Sequence, residues 1–214
     1  MCPRTAERAD LRYPYSVATR RPPYRDDKRA KILAAARVEF ARRGYHATGV
    51  EDIIRRARVA RGTFYQLWKG KRELFDTVVD ELFNLVYQRC RPIRLDDQQP
   101  VQQQIRDLIG DLVGTLVDNL ELAKILLNEA VGLDAELDDK LTGFYHRLLT
   151  LLEESLRKGQ QMGIVRPGDA AVLATCLVGC VKEVLYQYML GTRRPPVGPL
   201  VDELHRFIIQ GVRG

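Results

Sequence analysis

The sequence is poor in the residues that catalysis and metal binding usually need. Its 214 residues contain four cysteines and three histidines, and the histidines at positions 46, 146 and 205 lack the spacing of metal ligands. The sequence contains no nucleophile–base motif and no glycine-rich phosphate loop. The chain is therefore expected to have no metal, no cofactor and no enzymatic activity.

Long apolar runs are missing as well. No apolar run approaches the roughly 18 residues that span a bilayer, and the N-terminus lacks the apolar region of a secretory signal. The cysteines are too few for a disulfide framework in a chain of this length. Cys176 and Cys180 are four residues apart on one predicted helix. This spacing is compatible with a redox pair, but such cysteines are more often small, buried packing residues. These features predict a cytoplasmic protein with reduced thiols.

Negative charge is scarce in the first third of the chain. Residues 1–72 carry 19 Lys and Arg against 7 Asp and Glu, a net charge of +12. Residues 73–214 carry 15 Lys and Arg against 21 Asp and Glu, a net charge of −6. This polarity indicates an anionic partner for the N-terminal end, and both nucleic acid and an anionic membrane surface qualify.

Signals for β-structure are absent from the sequence, which has no sustained period-two alternation and no Asn-Gly dipeptide. Helical periodicity instead predicts an all-α fold of about nine helices. Residues 1–25 have scattered prolines and arginines and are predicted to form a disordered basic arm. The first helix is predicted to begin at Asp26 or Asp27 and to end at Gly44, followed by a second, short helix. The remaining helices are predicted at about 60–67, 72–89, 101–119, 120–133, 135–162, 170–190 and 200–212.

The second and third predicted helices are short and joined by a tight turn, which is typical of a helix-turn-helix. In this motif the second of the two helices enters the major groove of DNA. Gly62 removes a side chain where that helix must approach DNA, at a cost of about 1 kcal/mol in helix propensity relative to Ala. Phe64 and Trp68 point the other way, toward the core. The predicted DNA contacts are Thr48, Arg61, Gly62, Thr63, Tyr65, Gln66 and Lys71.

The same stretch resembles the TetR/AcrR family of transcriptional regulators over about 45 residues. The resemblance implies three DNA-binding helices at residues 26–72 and a fourth linking helix. It also implies that the helical domain at residues 73–214 dimerises and binds a small molecule. The matching residues are Ile32, Ala36, Phe40, Gly44, Tyr45, Thr48, Val50, Ile53, Ala57, Val59, Gly62, Thr63, Phe64, Tyr65, Trp68, Lys71 and Leu74.

Two residues depart from the family pattern. Arg58 stands where the family commonly has a turn glycine, so either the turn is strained or the arginine adopts a left-handed conformation. Ala60 replaces the usual Ser or Thr cap, which weakens the start of the third helix by about 1 kcal/mol. Thr48 and Glu51 fit the T-x-x-E pattern of a capping box and are expected to begin the second helix.

A ligand pocket, as the resemblance implies, is expected among the fourth to eighth helices. Polar side chains on otherwise apolar faces are the candidates, because a pocket needs a few placed polar groups among hydrophobic residues. The many leucines favour a lipophilic effector. The predicted ligand-binding residues are Phe83, Leu112, Leu116, Glu129, Tyr145, Glu183 and Tyr186.

The resemblance also implies a homodimer through residues 170–190 and 200–212, with two helix-turn-helix motifs on a palindromic operator in double-stranded DNA. A ligand-responsive repressor is the favoured interpretation. A constitutive or architectural DNA-binding protein, an activator of the same fold, and a helical enzyme or lipid carrier at a membrane are the alternatives.

Overall fold

The computed structural model describes residues 23–90, 93–94, 98–125, 132–190 and 196–212. Within these residues the chain forms nine helices, in agreement with the predicted all-α fold. They are α1 (Pro23–Ala47), α2 (Val50–Ala57), α3 (Arg61–Tyr65), α4 (Lys71–Arg89), α5 (Val101–Asp118), α6 (Leu120–Lys124), α7 (Ala135–Gln161), α8 (Ala170–Leu190) and α9 (Val197–Val212).

The first helix starts earlier than the sequence pattern predicts. It begins at Pro23, not at Asp26 or Asp27, and so includes the last residues of the predicted disordered arm. Proline is favoured at the first helical position because its missing amide proton would have no intrahelical acceptor there. The rest of the predicted arm, residues 1–22, lies outside the described residues.

The connection between α1 and α2 differs from the predicted capping box by one residue. Gly44, with φ 78°, interrupts α1, and the N-cap of α2 is Gly49. The amide of Gly49 donates to the Asp52 carboxylate at 3.1 Å. The hydroxyl of Thr48 instead donates to the carbonyl of Gly44 at 2.7 Å. Thr48 is therefore committed to the end of α1, and Glu51 does not complete a cap with it.

The turn between α2 and α3 is built on an arginine in a left-handed conformation. Arg58 has φ 55° and ψ 46° and caps the C-terminus of α2. This conformation costs an L-residue roughly 1–2 kcal/mol relative to the right-handed region, whereas glycine adopts it freely. Ala60 precedes α3 and provides no side-chain cap, because its methyl group cannot accept a hydrogen bond.

One hydrophobic cluster extends through both predicted domains. It joins α1 and α2 to Phe64 and Trp68 and continues through α4 into α6 and α7. A second cluster packs α5 against α8 and α9, and a third joins the end of α7 to the start of α8. Because α4 belongs to the first cluster along most of its length, it connects the N-terminal helices to the rest of the molecule.

Helix α8 leaves much of its apolar surface uncovered. Ala170–Tyr188 has a mean hydropathy of 1.4, enough for a membrane span by length and composition alone, although only 22% of this segment is buried. The expectation from the sequence that no apolar stretch reaches this length therefore underestimated how apolar α8 is. The only charged residues of this helix are Lys182 and Glu183. Val172 and Tyr188 are 56% and 38% exposed. This face is available for contact with another surface.

The end of α7 packs closely on the loop that follows it. A Cβ atom added at Gly159 would lie 2.6 Å from Cγ2 of Val165, closer than real Cβ contacts. The loop is in turn attached to α9, because the Arg166 amide donates to the Val212 carbonyl at 2.9 Å and Arg166 Nε donates to the Gly211 carbonyl at 2.8 Å. A glycine is therefore required at position 159, because the loop residue Val165 lies too close to α7 there for a side chain to fit.

We expect Gly159→Ala to lower the free energy of unfolding by about 1–3 kcal/mol, because the β-branched Val165 cannot rotate away from the added methyl group without strain. Gly143→Ala in the same helix is the matched control, since a Cβ atom there has no neighbour within 4 Å. The control is expected to gain up to about 1 kcal/mol from helix propensity. Chemical denaturation measures both, and equal stability changes would contradict the packing argument.

Candidate nucleic-acid interface and internal cavity

The short helix α3 is held in place by aromatic side chains on its inner side. Phe64 is fully buried, Trp68 is 4% exposed, and their ring centroids lie 6.0 Å apart. The indole Nε1 of Trp68 donates to Thr77 Oγ1 at 3.0 Å, which ties the end of the motif to α4. The orientation of α3 is therefore fixed from behind.

The outer side of α3 is polar, basic and open. Tyr65 is 46% exposed, and the guanidinium of Arg61 lies 5.6 Å from its ring centroid. Arg61 also pairs with Glu51 at 3.1 Å, while a side chain added at Gly62 would meet no atom within 4 Å. Gln66 is exposed on the same short segment, and Thr63 is half-buried. Side-chain hydrogen-bond donors and a glycine, where the backbone is accessible, therefore lie together on one surface.

Two of the predicted DNA contacts occupy other environments. Thr48 is only 1% exposed, because its hydroxyl is used within the α1–α2 connection, so it is not on the open surface. Lys71 Nζ donates to the Tyr45 carbonyl at 2.7 Å and lies 4.3 Å from the Tyr45 ring centroid. Burial lowers the pKa of Lys71. This lysine compensates the carbonyls at the end of α1, where a cation is favourable.

A cavity of about 310 Å³ lies between the helices of the C-terminal domain. It is lined almost entirely by aliphatic side chains of α4, α5, α7, α8 and α9. The lining also includes the polar residues Tyr145, Ser155 and Cys90, together with Lys158 and Lys182, which are both exposed to solvent. Its volume falls at the lower end of the range of about 300–1,000 Å³ for small-molecule sites.

The structure brings some of the predicted ligand-binding residues together. Leu112, Leu116 and Tyr145 line the cavity. Phe83 is buried beside it and stacks on the lining residue Phe144 at 4.2 Å between centroids. Glu183 is exposed, accepts a hydrogen bond from Gln187 at 2.7 Å and is not among the residues that line the cavity, so its role in ligand binding stays a prediction.

Two further predicted residues stay predictions. Tyr186 is half-buried but is not among the residues that line the cavity. Glu129 lies outside the described residues. The roles of Glu183 and Tyr186 were inferred from their neighbours in the sequence of α8, and such neighbours do not identify the side of a helix that is covered.

Most of the cavity wall was not recognised from the sequence. The leucines of α7 have the spacing of an ordinary core stripe, and this pattern is the same whether they face a packed core or a cavity. Cys90 also lines the cavity, and burial raises the pKa of its thiol to about 11. Its thiol therefore stays protonated near neutral pH. Lys158 and Lys182 are single lysines on long helices, and a lysine in such a sequence usually indicates only a solvent-exposed position.

A polar contact connects the N-terminus of α4 with that of α7. Arg72 donates to both carboxylate oxygens of Asp134, from Nε at 2.6 Å and from Nη2 at 2.9 Å. The same Asp134 carboxylate caps α7 by accepting from the Leu137 amide at 2.9 Å. The Arg72 hydrogen bonds, followed by that of Leu137, lower the pKa of Asp134 to about 2. Arg72 also pairs with Asp76 of its own helix at 2.5 Å, so one guanidinium contacts carboxylates of α4 and of the α7 N-cap.

These features define a helix-turn-helix DNA-binding protein with a second, helical domain that encloses a cavity. Residues 32–78 match the model of the bacterial regulatory proteins of the tetR family. Over these residues the chain matches the family that its sequence predicted, and the chain is a transcriptional regulator.

Several known proteins are similar to this chain. The transcriptional activator FasR of Mycolicibacterium smegmatis is 41% identical over 71 residues, 31% of this chain and 32% of that protein. The structure of the fatty acid degradation regulator FadR from Bacillus halodurans superposes with a TM-score of 0.74 at 22% identity, covering 90% of this chain and 98% of that one. FadR from Bacillus subtilis, solved with stearoyl-CoA, gives 0.68 at 21% identity, covering 86% and 99%.

We predict that Arg61→Ala and Tyr65→Ala each weaken binding to specific DNA by about 1–3 kcal/mol and leave folding unchanged, because both side chains are exposed on the outer face of α3. Arg157→Ala is the matched control: Arg157 is 66% exposed and Arg61 69%, and each pairs with one glutamate. Affinities are measured by fluorescence anisotropy on fragments selected from the source genome. Equal affinities for the wild type and both α3 variants would contradict the assigned face.

Proposed function

We propose that the protein is a homodimeric repressor that binds a palindromic operator in the cytoplasm and leaves it when an amphipathic effector with a long apolar chain enters the cavity. The observation that carries this proposal is the cavity itself. A constitutive DNA-binding protein would gain stability by filling this space with side chains, because empty volume in a core is destabilising.

The chemistry of the cavity wall supports an effector of this class. An aliphatic lining offers few hydrogen bonds, so binding must come mainly from the burial of apolar surface, worth roughly 25 cal/mol per Å². The lining residues include the exposed lysines Lys158 and Lys182, and positive charge close to the cavity favours an anionic head group. Two structurally similar proteins are named for fatty acid metabolism or hold stearoyl-CoA. Fatty acids and their coenzyme A thioesters are therefore the first effectors to test.

Contacts between α7 and α4 provide a route from the cavity to DNA. Phe144 and Tyr145 line the cavity, and Phe144 stacks on Phe83 of α4. The Tyr87 hydroxyl of α4 donates to the Phe144 carbonyl at 3.1 Å. An effector that displaces α7 must therefore move α4, which begins directly after the helix-turn-helix. A coupling free energy of about 1–3 kcal/mol corresponds to a 5- to 150-fold change in affinity.

The exposed face of α8 and the neighbouring Phe207 support dimerisation through α8 and α9. Phe207 is 66% exposed, and Val172 and Cys176 are exposed one turn apart on α8, followed at helical spacing by the half-buried Gly179. Small and apolar residues at this spacing let two helices approach closely. Leu173 and Ala174 are buried inside the subunit, so their side of α8 is not the face proposed for the partner.

An activator is the second candidate, because the similar protein FasR is named as one. That similarity covers only 31% of this chain, so it concerns the DNA-binding domain and not the effector response. The position of the operator relative to the promoter distinguishes the two candidates.

We expect stearoyl-CoA or free stearate to lower the affinity of the wild type for its selected DNA by 5- to 150-fold. Leu148→Trp narrows the cavity and should reduce this response by about tenfold, equivalent to ~1.4 kcal/mol. Leu149→Trp is the matched control, because Leu149 is the next residue along α7 and packs outside the cavity wall. Anisotropy titrations with both probes, and with coenzyme A alone, measure the response. No response to either acyl compound would rule out this effector class.

We expect Phe207→Lys and Val172→Lys to weaken dimerisation by about 2 kcal/mol or more, since each places a charge at the centre of the proposed apolar contact. Val38→Lys is the control, because Val38 is also exposed but lies on α1. Sedimentation velocity at micromolar concentration distinguishes the species. A wild-type monomer, or variants that remain dimeric, would disprove the α8–α9 interface.

A further inference from the structure

A group of arginines surrounds a surface cleft between the end of α1 and the length of α2. Together with two carboxylates, Glu39 and Asp52, they give this surface a net charge of +3. We call these residues the arginine ribbon: Arg42, Arg43, Arg55, Arg56 and Arg58.

The ribbon is organised by a buried carboxylate. Glu39 is 4% exposed and accepts from Arg42 Nη2 at 2.9 Å and from Arg56 Nε at 2.5 Å. Burial raises the pKa of Glu39, but the hydrogen bonds from both arginines outweigh it and leave the pKa below its ordinary value. Arg43 pairs with Asp52 at 3.0 Å. The two carboxylates thus fix the directions of several guanidinium groups at once.

The arginines keep most of their hydrogen-bonding capacity for a partner. Each guanidinium has five N–H donors, and the side chains of Arg42, Arg55 and Arg56 are 60%, 76% and 41% exposed. Two carboxylates cannot satisfy five such groups. An arrangement in which the guanidinium groups are aligned and only partly neutralised suits phosphate, which arginine binds in bidentate geometry.

Arg58 adds an observation of a different kind. It adopts a left-handed conformation that costs roughly 1–2 kcal/mol for an arginine and almost nothing for a glycine. A side chain retained at such a position indicates that the charge has a use, since strained residues cluster at functional sites.

The ribbon continues directly from the recognition surface. Arg61 of α3 pairs with Glu51 in the first turn of α2, and Arg55 follows Glu51 by four residues on the same face of that helix. Residues at this spacing lie about 5–6 Å apart. A ligand that contacts α3 and extends past α2 would therefore pass over Arg55 and the rest of the ribbon.

We propose that the arginine ribbon binds the sugar-phosphate backbone of DNA that flanks the base pairs read by α3. The proposal rests on the DNA-binding function and extends its footprint to the outer side of each half-site. These contacts add affinity and salt dependence without sequence information, because phosphates are the same in every sequence. An acidic protein surface has similar chemistry, but it would not require continuity with α3.

The test compares Arg55→Gln and Arg58→Gly with the wild type, on a minimal operator and on one extended on both sides. Each variant is expected to bind the extended operator about fivefold more weakly and to reduce the slope of log K against log salt by about 1. The preference for operator over unrelated DNA should not change. Arg58→Gly also relieves the left-handed strain, so its thermal stability should equal or exceed that of the wild type, and a loss of affinity cannot reflect unfolding.

Arg157→Gln on α7 is the control and should leave affinity and salt slope unchanged. Wild-type affinity and salt slope in both ribbon variants would overturn the proposal, even if the same variants later lose binding to an acidic protein. Equal losses on the minimal and extended operators would also overturn it, because the contacts would then not lie in the flanks. Failure of the wild type to bind any genomic fragment would instead overturn the DNA-binding function itself.

Discussion

The burial of Phe64 and Trp68 is the interaction on which the rest of the structure depends. A helix of five residues has no stability of its own in water, and the residue before α3, Ala60, cannot cap it. Burying two large aromatic side chains contributes roughly 1.5–3 kcal/mol each, which is enough to hold so short a segment. The same burial turns Arg61, Gly62 and Tyr65 outward. Packing and recognition are therefore two consequences of one orientation.

The position of α4 makes this orientation sensitive to the C-terminal domain. Trp68 is hydrogen-bonded to Thr77, Phe83 of the same helix stacks on Phe144, and one continuous hydrophobic cluster includes all of these elements. Close-packed interiors transmit displacements because they do not compress. In the proposed function, a small shift of α7 at the cavity would therefore be carried to the helix-turn-helix as a movement of whole helices. The Arg72–Asp134 contact is a second connection between α4 and the start of α7.

The sequence allowed the fold and the recognition helix to be predicted because their signals are local. Helical periodicity, Gly44 and the spacing of Phe64 and Trp68 each act within a few residues. The capping box at Thr48 was misplaced by one residue because Gly49 and Asp52 form an equally good local pattern. The exposure of Glu183 could not be predicted, because the covered side of α8 depends on α7, which is distant in sequence. The role of Gly159 follows from one contact with Val165 and has no sequence signal.

Several residues of the N-terminal domain have an identity or a conformation that disfavours folding, and all of them lie near the proposed DNA surface. Gly62 lowers helix propensity, Arg58 is left-handed, Ala60 leaves α3 uncapped and Glu39 is a buried charge. The first three each cost roughly 1–2 kcal/mol, a substantial part of the 5–15 kcal/mol that usually separates folded from unfolded states. The cluster shared with α4, α6 and α7 offsets these costs. Stability supplied by the C-terminal helices therefore permits residues at the proposed DNA surface that provide charge or close approach at a cost to folding.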